Sequence, residues 1–254
     1  MPTNLRRKKQ GIVILLDALG ASAYEEEKIK NFLSARDEII KIVGEFAKKF
    51  SPKKIFTDPN IYTFGDTIVI TVQFKGKKKY IAQIMRSVML MRRYLFHSFK
   101  QGILFRGAFS IGSYIEDSKS NTVMGEAVTD AAQWYGRADW MGIISTPKTN
   151  NALEYYCNKG LSDVHFIHMY PVPLKDGSKI DLYCISWPGA LHDKMFLEKS
   201  GKQSPRLWFL EIFKDFSFPI SVTTTYYNTK LYFNYVENKI EAEMLKEKKP
   251  TKAS

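Results

Sequence analysis

Gly11-Ile-Val-Ile-Leu-Leu-Asp-Ala-Leu-Gly20 is a short apolar run with β-branched members that ends in an aspartate and a glycine. It predicts a buried strand with Asp17 at its edge. A second stretch, Ile61-Tyr-Thr-Phe-Gly-Asp-Thr-Ile-Val-Ile70, contains two β-rich segments that meet at Gly65-Asp66, which is typical of a hairpin. A carboxylate at a strand end beside a glycine turn leaves its oxygens free for a hard cation. The two stretches therefore predict a divalent-metal site built from Asp17 and Asp66.

The composition indicates a folded protein with a basic excess. The 254 residues are 44% hydrophobic and 14% aromatic, and the formal net charge is +12. Much of this charge lies in short runs that we interpret as solvated, but a basic balance also suits an anionic ligand, so a triphosphate and a nucleic acid both remain open on charge alone. The two cysteines lack metal-type spacing, which favours reduced thiols and a cytoplasmic protein. We expect no membrane partner, because no segment approaches the ~20 apolar residues that a membrane span requires.

The predicted elements follow the order βαββαβ and then β, α, β. Ser22-Ala-Tyr-Glu25 predicts a capping box that opens a helix to about Phe50. This order predicts an α/β (α+β) fold with a ferredoxin-like, palm-type core, in which a mixed sheet carries its helices on one side. The later elements are predicted as a helix over 78–100, strands over 103–114, 122–124 and 142–145, helices over 126–140 and 147–159, and then strands near 164–170 and 179–186 and a helix over 222–248.

We expect one domain in four parts, because the chain shows no internal repeat and no long linker. A basic arm covers residues 1–10 and the catalytic core covers residues 11–160. C-terminal strands and helices over 161–240 complete the same domain, and a charged tail covers 241–254.

Four segments in this order resemble the class III nucleotidyl cyclases. Leu16-Asp-Ala-Leu-Gly20 and Ile61-Tyr-Thr-Phe-Gly-Asp66 look like the two segments that carry the metal aspartates. Arg106-Gly-Ala-Phe-Ser-Ile-Gly112 and Met124-Gly-Glu-Ala-Val-Thr-Asp-Ala-Ala-Gln133 match the later strand and helix segments. The likeness extends over about residues 11–146. It implies a class III cyclase core with a C-terminal elaboration and a site shared across a homodimer.

The resemblance implies two Mn²⁺ or Mg²⁺ ions per site. Arg106 matches an arginine that contacts phosphate in relatives; a strand-end salt bridge and a bond to a pyrimidine edge are the alternatives for this side chain. Free backbone N–H groups after the first strand, at a helix N-terminus, would hold phosphate. The residues of this metal and phosphate site are Asp17, Ala18 and Asp66 for the metals and Gly20, Ala21 and Ser22 for the phosphates.

The base-reading positions depart from those of the purine cyclases. Tyr62 stands four residues before Asp66, where purine cyclases have Lys or Glu, and Thr122 stands where adenylate cyclases have an acid. A tyrosine ring fills the volume left by a smaller pyrimidine, and both hydroxyls can donate or accept hydrogen bonds. This pattern resembles the pyrimidine cyclases of the bacterial Pycsar antiphage systems, which implies that UTP or CTP, with UTP favoured, becomes a cyclic nucleotide read by a separate effector protein. A plain strand aromatic is the alternative for Tyr62.

The helix after Gly125 departs from the family as well. The positions of the usual transition-state Asn and Arg hold Thr129 and Gln133, neither of which is positively charged. Arg137 lies four residues beyond Gln133, one turn along the predicted helix, so we expect it to reach the α-phosphate. A surface arginine is the alternative. Thr129 and Arg137 are thus the candidate catalytic residues.

Other function classes remain open. The uncharged pair at 129 and 133 also suits a catalytically inactive, nucleotide-binding cyclase-like module. The net charge and the aromatic residues suit a basic RNA-binding protein, although no RNP-type aromatic strand is present and nucleic acid is therefore the less favoured partner. A purine cyclase with an unusual pocket is a third possibility.

Overall fold

A computed structural model of the chain describes residues 7–21, 25–49, 57–76, 80–117, 119–156, 163–193, 204–214 and 223–247. The strands are β1 Lys9–Ala18, β2 Asn60–Phe64, β3 Thr67–Gln73, β4 Phe105–Asp117, β5 Thr122–Met124, β6 Gly142–Ser145, β7 Ile167–Pro173 and β8 Lys179–Ile185. The α-helices are α1 Glu26–Lys49, α2 Tyr80–Lys100, α3 Glu126–Trp134, α4 Pro147–Tyr156, α5 Pro205–Lys214 and α6 Thr223–Glu247, and a 3₁₀ helix covers Pro188–His192.

The strands form one mixed sheet over the described part of the chain. Their order is β2-β3-β1-β4-β6-β8-β7, and the short β5 pairs with β4 outside this path. Strand β1 lies between β3 and β4 and is antiparallel to both. Strands β4 and β6 are parallel. The predicted mixed sheet and the predicted βαββαβ order are confirmed.

Strand β1 is apolar on both faces of the sheet. Ile12 and Ile14 join the large core that also contains residues of α1 and α2, whereas Val13 and Leu15 join a smaller cluster with Ala131 of α3. Successive strand residues point to opposite faces, so α3 lies on the face opposite α1 and α2. The prediction that the helices share one side of the sheet is wrong, because both faces of β1 carry apolar side chains that need cover.

Helix α1 begins later than predicted. Its first residue is Glu26, so Glu25 precedes the helix instead of being its third residue, as the capping box required. Ser22 and Phe50, the predicted cap and the predicted end, lie outside the described residues. The helix nevertheless runs to Lys49, and its buried face packs on the sheet as its apolar spacing predicts.

Helix α3 ends at Trp134 and does not reach Trp140 as predicted. The N–H of Arg137 donates to the Trp134 carbonyl at 3.0 Å, which is a turn and not an α-helical bond. Gly136 lies in this turn and has a low helix propensity. Trp140 is fully buried and stacks on Tyr170, with ring centroids 5.2 Å apart. The chain therefore leaves the helix early, and Trp140 packs in the core.

The C-terminal elaboration contains strands β7 and β8 and the two helices α5 and α6. Helix α6 confirms the prediction over 222–248 and extends into the predicted charged tail, whereas α5 was not predicted. Phe209 of α5 stacks on Phe233 of α6 with ring centroids 3.9 Å apart, and Arg206 pairs with Glu241. Within the described ranges, no helix has an apolar stretch long enough to cross a bilayer.

Candidate active site

The two candidate metal aspartates lie at neighbouring strand ends. Asp17 is the next-to-last residue of β1, and its register partner is Thr67, the first residue of β3. Asp66 directly precedes Thr67. Paired residues of antiparallel strands have Cα atoms about 4.5–5.5 Å apart. The fold thus brings the backbones at 17 and 66 together at one end of the sheet, and both residues are partly buried.

The turn that carries Asp66 is fixed to helix α1. Gly65 has φ +61°, a left-handed conformation that glycine adopts without steric cost. The guanidinium of Arg36 donates from Nη1 to the Gly65 carbonyl at 2.9 Å and also pairs with Asp37. The Arg36 side chain is only 12% exposed. The sequence offered no motif that marks Arg36.

Arg106 faces Asp17 across strands β1 and β4. The two residues are register partners, and the guanidinium donates to Asp17 Oδ2 from Nη2 at 2.9 Å and from Nε at 3.2 Å. Both side chains are more than four-fifths buried. The strand-end salt bridge considered for Arg106 is therefore present, and it places a guanidinium directly at the candidate metal site. The other carboxylate oxygen of Asp17, Oδ1, takes part in neither of these two hydrogen bonds with Arg106.

Asp17 and Asp66 fit a divalent ion that is shared with substrate. Carboxylate oxygens are the ligands that Mg²⁺ prefers, and Mg²⁺ typically takes one or two carboxylates and completes its shell with water and substrate phosphates. Over the described ranges, no group of three or more His, Cys, Asp or Glu side chains forms a metal cage. Ala18 ends β1 with its methyl group buried, so only its backbone carbonyl is available as a ligand.

Lys175 is a basic residue at this site that the sequence analysis missed. It lies in the turn between β7 and β8, and its N–H donates to the carbonyl of Arg137 at 3.0 Å. Desolvation and the charge of Arg106 lower the pKa of the Lys175 ammonium, while Asp17 and Asp139 act to raise it. These influences place Lys175 within electrostatic range of the Asp17–Arg106 pair. A lysine in a hairpin turn belongs to no sequence motif. Lys175 comes near the site only because the β7–β8 turn packs against the segment that follows α3.

Arg137 lies in the turn after α3, where its carbonyl accepts the hydrogen bond from Lys175. Its guanidinium lies 5.2 Å from the ring centroid of Trp134. It also contributes to the lowered pKa of Asp176, which is held down mainly by hydrogen bonds from Ser178. Because α3 ends at Trp134, the predicted position of Arg137 on the helix face is wrong. Thr129 lies on α3 itself and is exposed.

Tyr62 lies on the same face of the sheet as Asp17. Tyr62 pairs with Val69, which pairs with Leu15, so Tyr62 is two residues from the level of Asp17, or about 7 Å along the strands. The Tyr62 ring is 4% exposed and packs in the cluster beneath α3. Burial, together with the charge of Glu116, raises the pKa of Tyr62 to about 12, so its hydroxyl is neutral at ordinary pH.

Glu116 organises the polar groups around Tyr62. Its carboxylate is 4% exposed and accepts hydrogen bonds from Tyr62 at 3.4 Å, from Asn60 at 2.8 Å and from Thr71 at 2.5 Å. It also pairs with the ammonium of Lys9. Burial of a carboxylate costs free energy unless its charge is paired and hydrogen-bonded, and the four donors around Glu116 meet this requirement.

Glu116→Gln should lower the free energy of unfolding by about 2 kcal/mol, because charge-assisted bonds are lost and Lys9 keeps an uncompensated charge. Urea unfolding of the variant measures this loss. Glu154→Gln, which changes an exposed glutamate on α4, is the matched control and should unfold like the parent protein. Equal stability of the two variants would contradict this role for Glu116.

The remaining predicted ligand residues are only partly placed. Thr122, on β5, bonds through its hydroxyl to Ser120 and makes no hydrogen bond with Tyr62 within the described residues. Gly20, with φ +78°, and Ala21 lie in the turn after β1, whereas Ser22 is outside the described part of the chain. The first turn of α1 carries Glu26 and Glu27. Their charges oppose phosphate at that helix end, so phosphate binding at 20–22 would depend on the loop backbone.

No protein-family model and no curated protein matches the chain. Among solved structures, the adenylyl cyclase CyaB from P. aeruginosa aligns with a TM-score of 0.45 and 14% identity, covering 70% of this chain and 94% of its own. The guanylyl cyclase Cya2 aligns with a TM-score of 0.40 and 14% identity, covering 70% of this chain and 91% of its own. Similarity at this level assigns neither a family nor an activity to the chain.

Proposed function

We propose that this protein is a nucleotidyl cyclase that converts UTP or CTP to the 3′,5′-cyclic monophosphate and pyrophosphate. The observation that carries the proposal is that the backbones at Asp17 and Asp66 lie together at one end of the sheet, with Arg106 bonded to Asp17 and Lys175 within electrostatic range of that pair. Carboxylates attract the metal ions that accompany a triphosphate, and the cations attract the triphosphate itself. The four cyclase-like sequence segments support the same reaction.

In the proposed reaction, the ribose 3′-oxygen attacks the α-phosphorus of the same nucleotide, and the bond to the β-phosphate breaks. Asp17, Asp66 and the Ala18 carbonyl would hold two Mn²⁺ or Mg²⁺ ions. When bound, these ions lower the pKa of the 3′-hydroxyl and neutralise charge on the leaving pyrophosphate. Arg106 and Lys175 orient the phosphates. The remaining candidate catalytic groups are Arg137, which offsets the charge that develops at the α-phosphate, and the hydroxyl of Thr129.

Pyrimidine selection rests on Tyr62 and Thr122. The hydroxyl of Tyr62 stays neutral, so it can donate a hydrogen bond to a base. In the shared site that we propose, Tyr62 and Thr122 of one protomer face Asp17 and Asp66 of its partner. We favour uracil over cytosine. The active form is a homodimer, and the cyclic product acts on a separate effector protein in antiphage defence.

Incubation with each of the four nucleoside triphosphates tests this proposal. With Mn²⁺ or Mg²⁺ present, mass spectrometry should detect cyclic UMP or cyclic CMP together with pyrophosphate. Cyclic AMP or cyclic GMP alone would contradict the pyrimidine assignment. Nucleotide binding without any cyclic product would favour a second candidate function, an inactive nucleotide-binding module, for which the uncharged Thr129 and Gln133 on α3 are the specific observation.

The fall in activity at high pH should reflect the loss of the proton from the Lys175 ammonium. An ammonium must be protonated to bind phosphate, and desolvation lowers the pKa of Lys175, so it loses its charge at lower pH than an ordinary lysine. We expect kcat/KM, which reports the free enzyme, to fall as the pH rises through this lowered pKa. Lys175→Arg keeps the charge to higher pH and should extend the plateau. Identical alkaline limbs in the two proteins would exclude Lys175 as a phosphate ligand.

A further inference from the structure

Helix α6 is joined to the segment that follows Arg137 by a set of hydrogen bonds that we name the α6 junction. Thr225 donates its hydroxyl proton to Asp139 Oδ1, and Asn228 donates from Nδ2 to the Asp139 carbonyl at 2.9 Å and to Asp139 Oδ2 at 3.3 Å. The N–H of Met141 donates to Thr229 Oγ1 at 2.9 Å. Thr225 is 7% exposed and Thr229 is fully buried, so water hardly competes for these bonds.

The same segment is bound on its other side to the β7–β8 turn. The N–H of Asp139 donates to the carbonyl of Pro173 at 2.9 Å, and the N–H of Lys175 donates to the carbonyl of Arg137 at 3.0 Å. Ala138 and Leu174 form a β-bridge between these two bonds. Arg137 and Lys175 are therefore held next to each other, and Asp139 connects both of them to α6.

The position of Asp139 is electrostatically favourable as well. Its carboxylate bonds to side chains in the first two turns of a helix of 25 residues, where the helix dipole stabilises negative charge.

Removal of the bonds to α6 would leave the backbone bonds to the β7–β8 turn in place but would free the segment on one side. Arg137 is exposed, and its guanidinium lies over the ring of Trp134 at the end of α3, so a shift of the freed segment would move this guanidinium.

We infer that helix α6, through Thr225, Asn228 and Asp139, positions Arg137 and Lys175 to bind the phosphates of the substrate. The inference rests on the proposed function only in taking the substrate to be a triphosphate. Asp139, Thr225 and Asn228 are positioning residues, because on this inference they act through Arg137 and Lys175. On this inference, helix α6 of the C-terminal elaboration helps to build the active site.

Thr225→Val tests the inference, because valine keeps the shape of threonine and removes the hydroxyl. Thr225→Ser retains the hydroxyl and should behave like the parent protein, and Thr224→Val changes the exposed neighbouring threonine as a matched control. We expect Thr225→Val to lower kcat on the order of tenfold, since small misplacements of positioned groups have effects of this size or larger. Its affinity for inorganic pyrophosphate, measured by calorimetry, should fall several-fold. Hydrogen exchange should accelerate in peptides covering 137–141 and 173–177.

The outcomes separate positioning from mere stabilisation. If Thr225→Val melts at a lower temperature but matches Thr224→Val in pyrophosphate affinity and in exchange at these peptides, the inference is overturned. Asn228→Ala, which removes the other donor side chain, gives the same test if Thr225→Val fails to fold. If the parent protein makes no cyclic nucleotide, the proposed function fails, while pyrophosphate affinity and exchange still decide whether α6 positions the two cations.

Discussion

Asp17→Asn and Asp66→Asn should each reduce cyclisation by about 10³-fold or more. Asparagine keeps the shape of aspartate and removes the charge that holds a divalent ion. Metal ions contribute several kcal/mol to stabilising the transition state of phosphoryl chemistry, and each 1.4 kcal/mol corresponds to a factor of ten in rate. Initial rates at saturating nucleotide and Mn²⁺ measure the loss. The expectation follows from the placement of the two residues at adjoining strand ends.

The matched control for both substitutions is Asp181→Asn, which changes an exposed aspartate on β8 and should leave the rate unchanged. Asp17→Asn also weakens the pair with Arg106, so its unfolding in urea must be compared with that of Asp66→Asn to separate stability from catalysis. Substantial activity in both variants would rule out this site. A loss in only one of them would restrict the metal site to the carboxylate that was changed.

A mixture of two inactive variants should regain about a quarter of the activity of the parent protein if the site is shared between protomers. Arg137→Ala should be strongly impaired on its own, because an uncompensated charge at the α-phosphate costs on the order of 10²-fold. When Arg137→Ala and Asp66→Asn protomers assort at random, about half of the dimers are mixed. Each mixed dimer has one site with an intact aspartate from one protomer and an intact arginine from its partner.

Mixing Asp17→Asn with Asp66→Asn is the control for this experiment. Both substitutions damage the same half of the site, so no mixed dimer contains an intact one and no activity should return. Failure of the first mixture, with subunit exchange verified by mass, would contradict a site shared across the dimer. It would favour a site within one protomer, where Lys175 and the Asp17–Arg106 pair already lie within electrostatic range of each other.

Several elements could be predicted because their signals are local. The apolar run of β1 and the Gly65-Asp66 turn are readable from neighbouring residues, and both elements have the predicted form. Two features that were not predicted, the early end of α3 and the helix α5, also had a local signal. Gly136 marks the end of α3, and Ser204-Pro205 is a typical helix start, in which Ser204 caps the N–H of Leu207 at 3.3 Å.

The sequence alone determined that two strand ends would each carry an aspartate, because strand periodicity and turn chemistry depend on residues next to each other in the chain. Only the tertiary structure decided what surrounds these carboxylates. Arg106 reaches Asp17 across 89 positions of the chain, and Asn228 of α6 reaches Asp139 across another 89. No local pattern specifies such partners, since they depend on which strands pair and on where a distant helix packs.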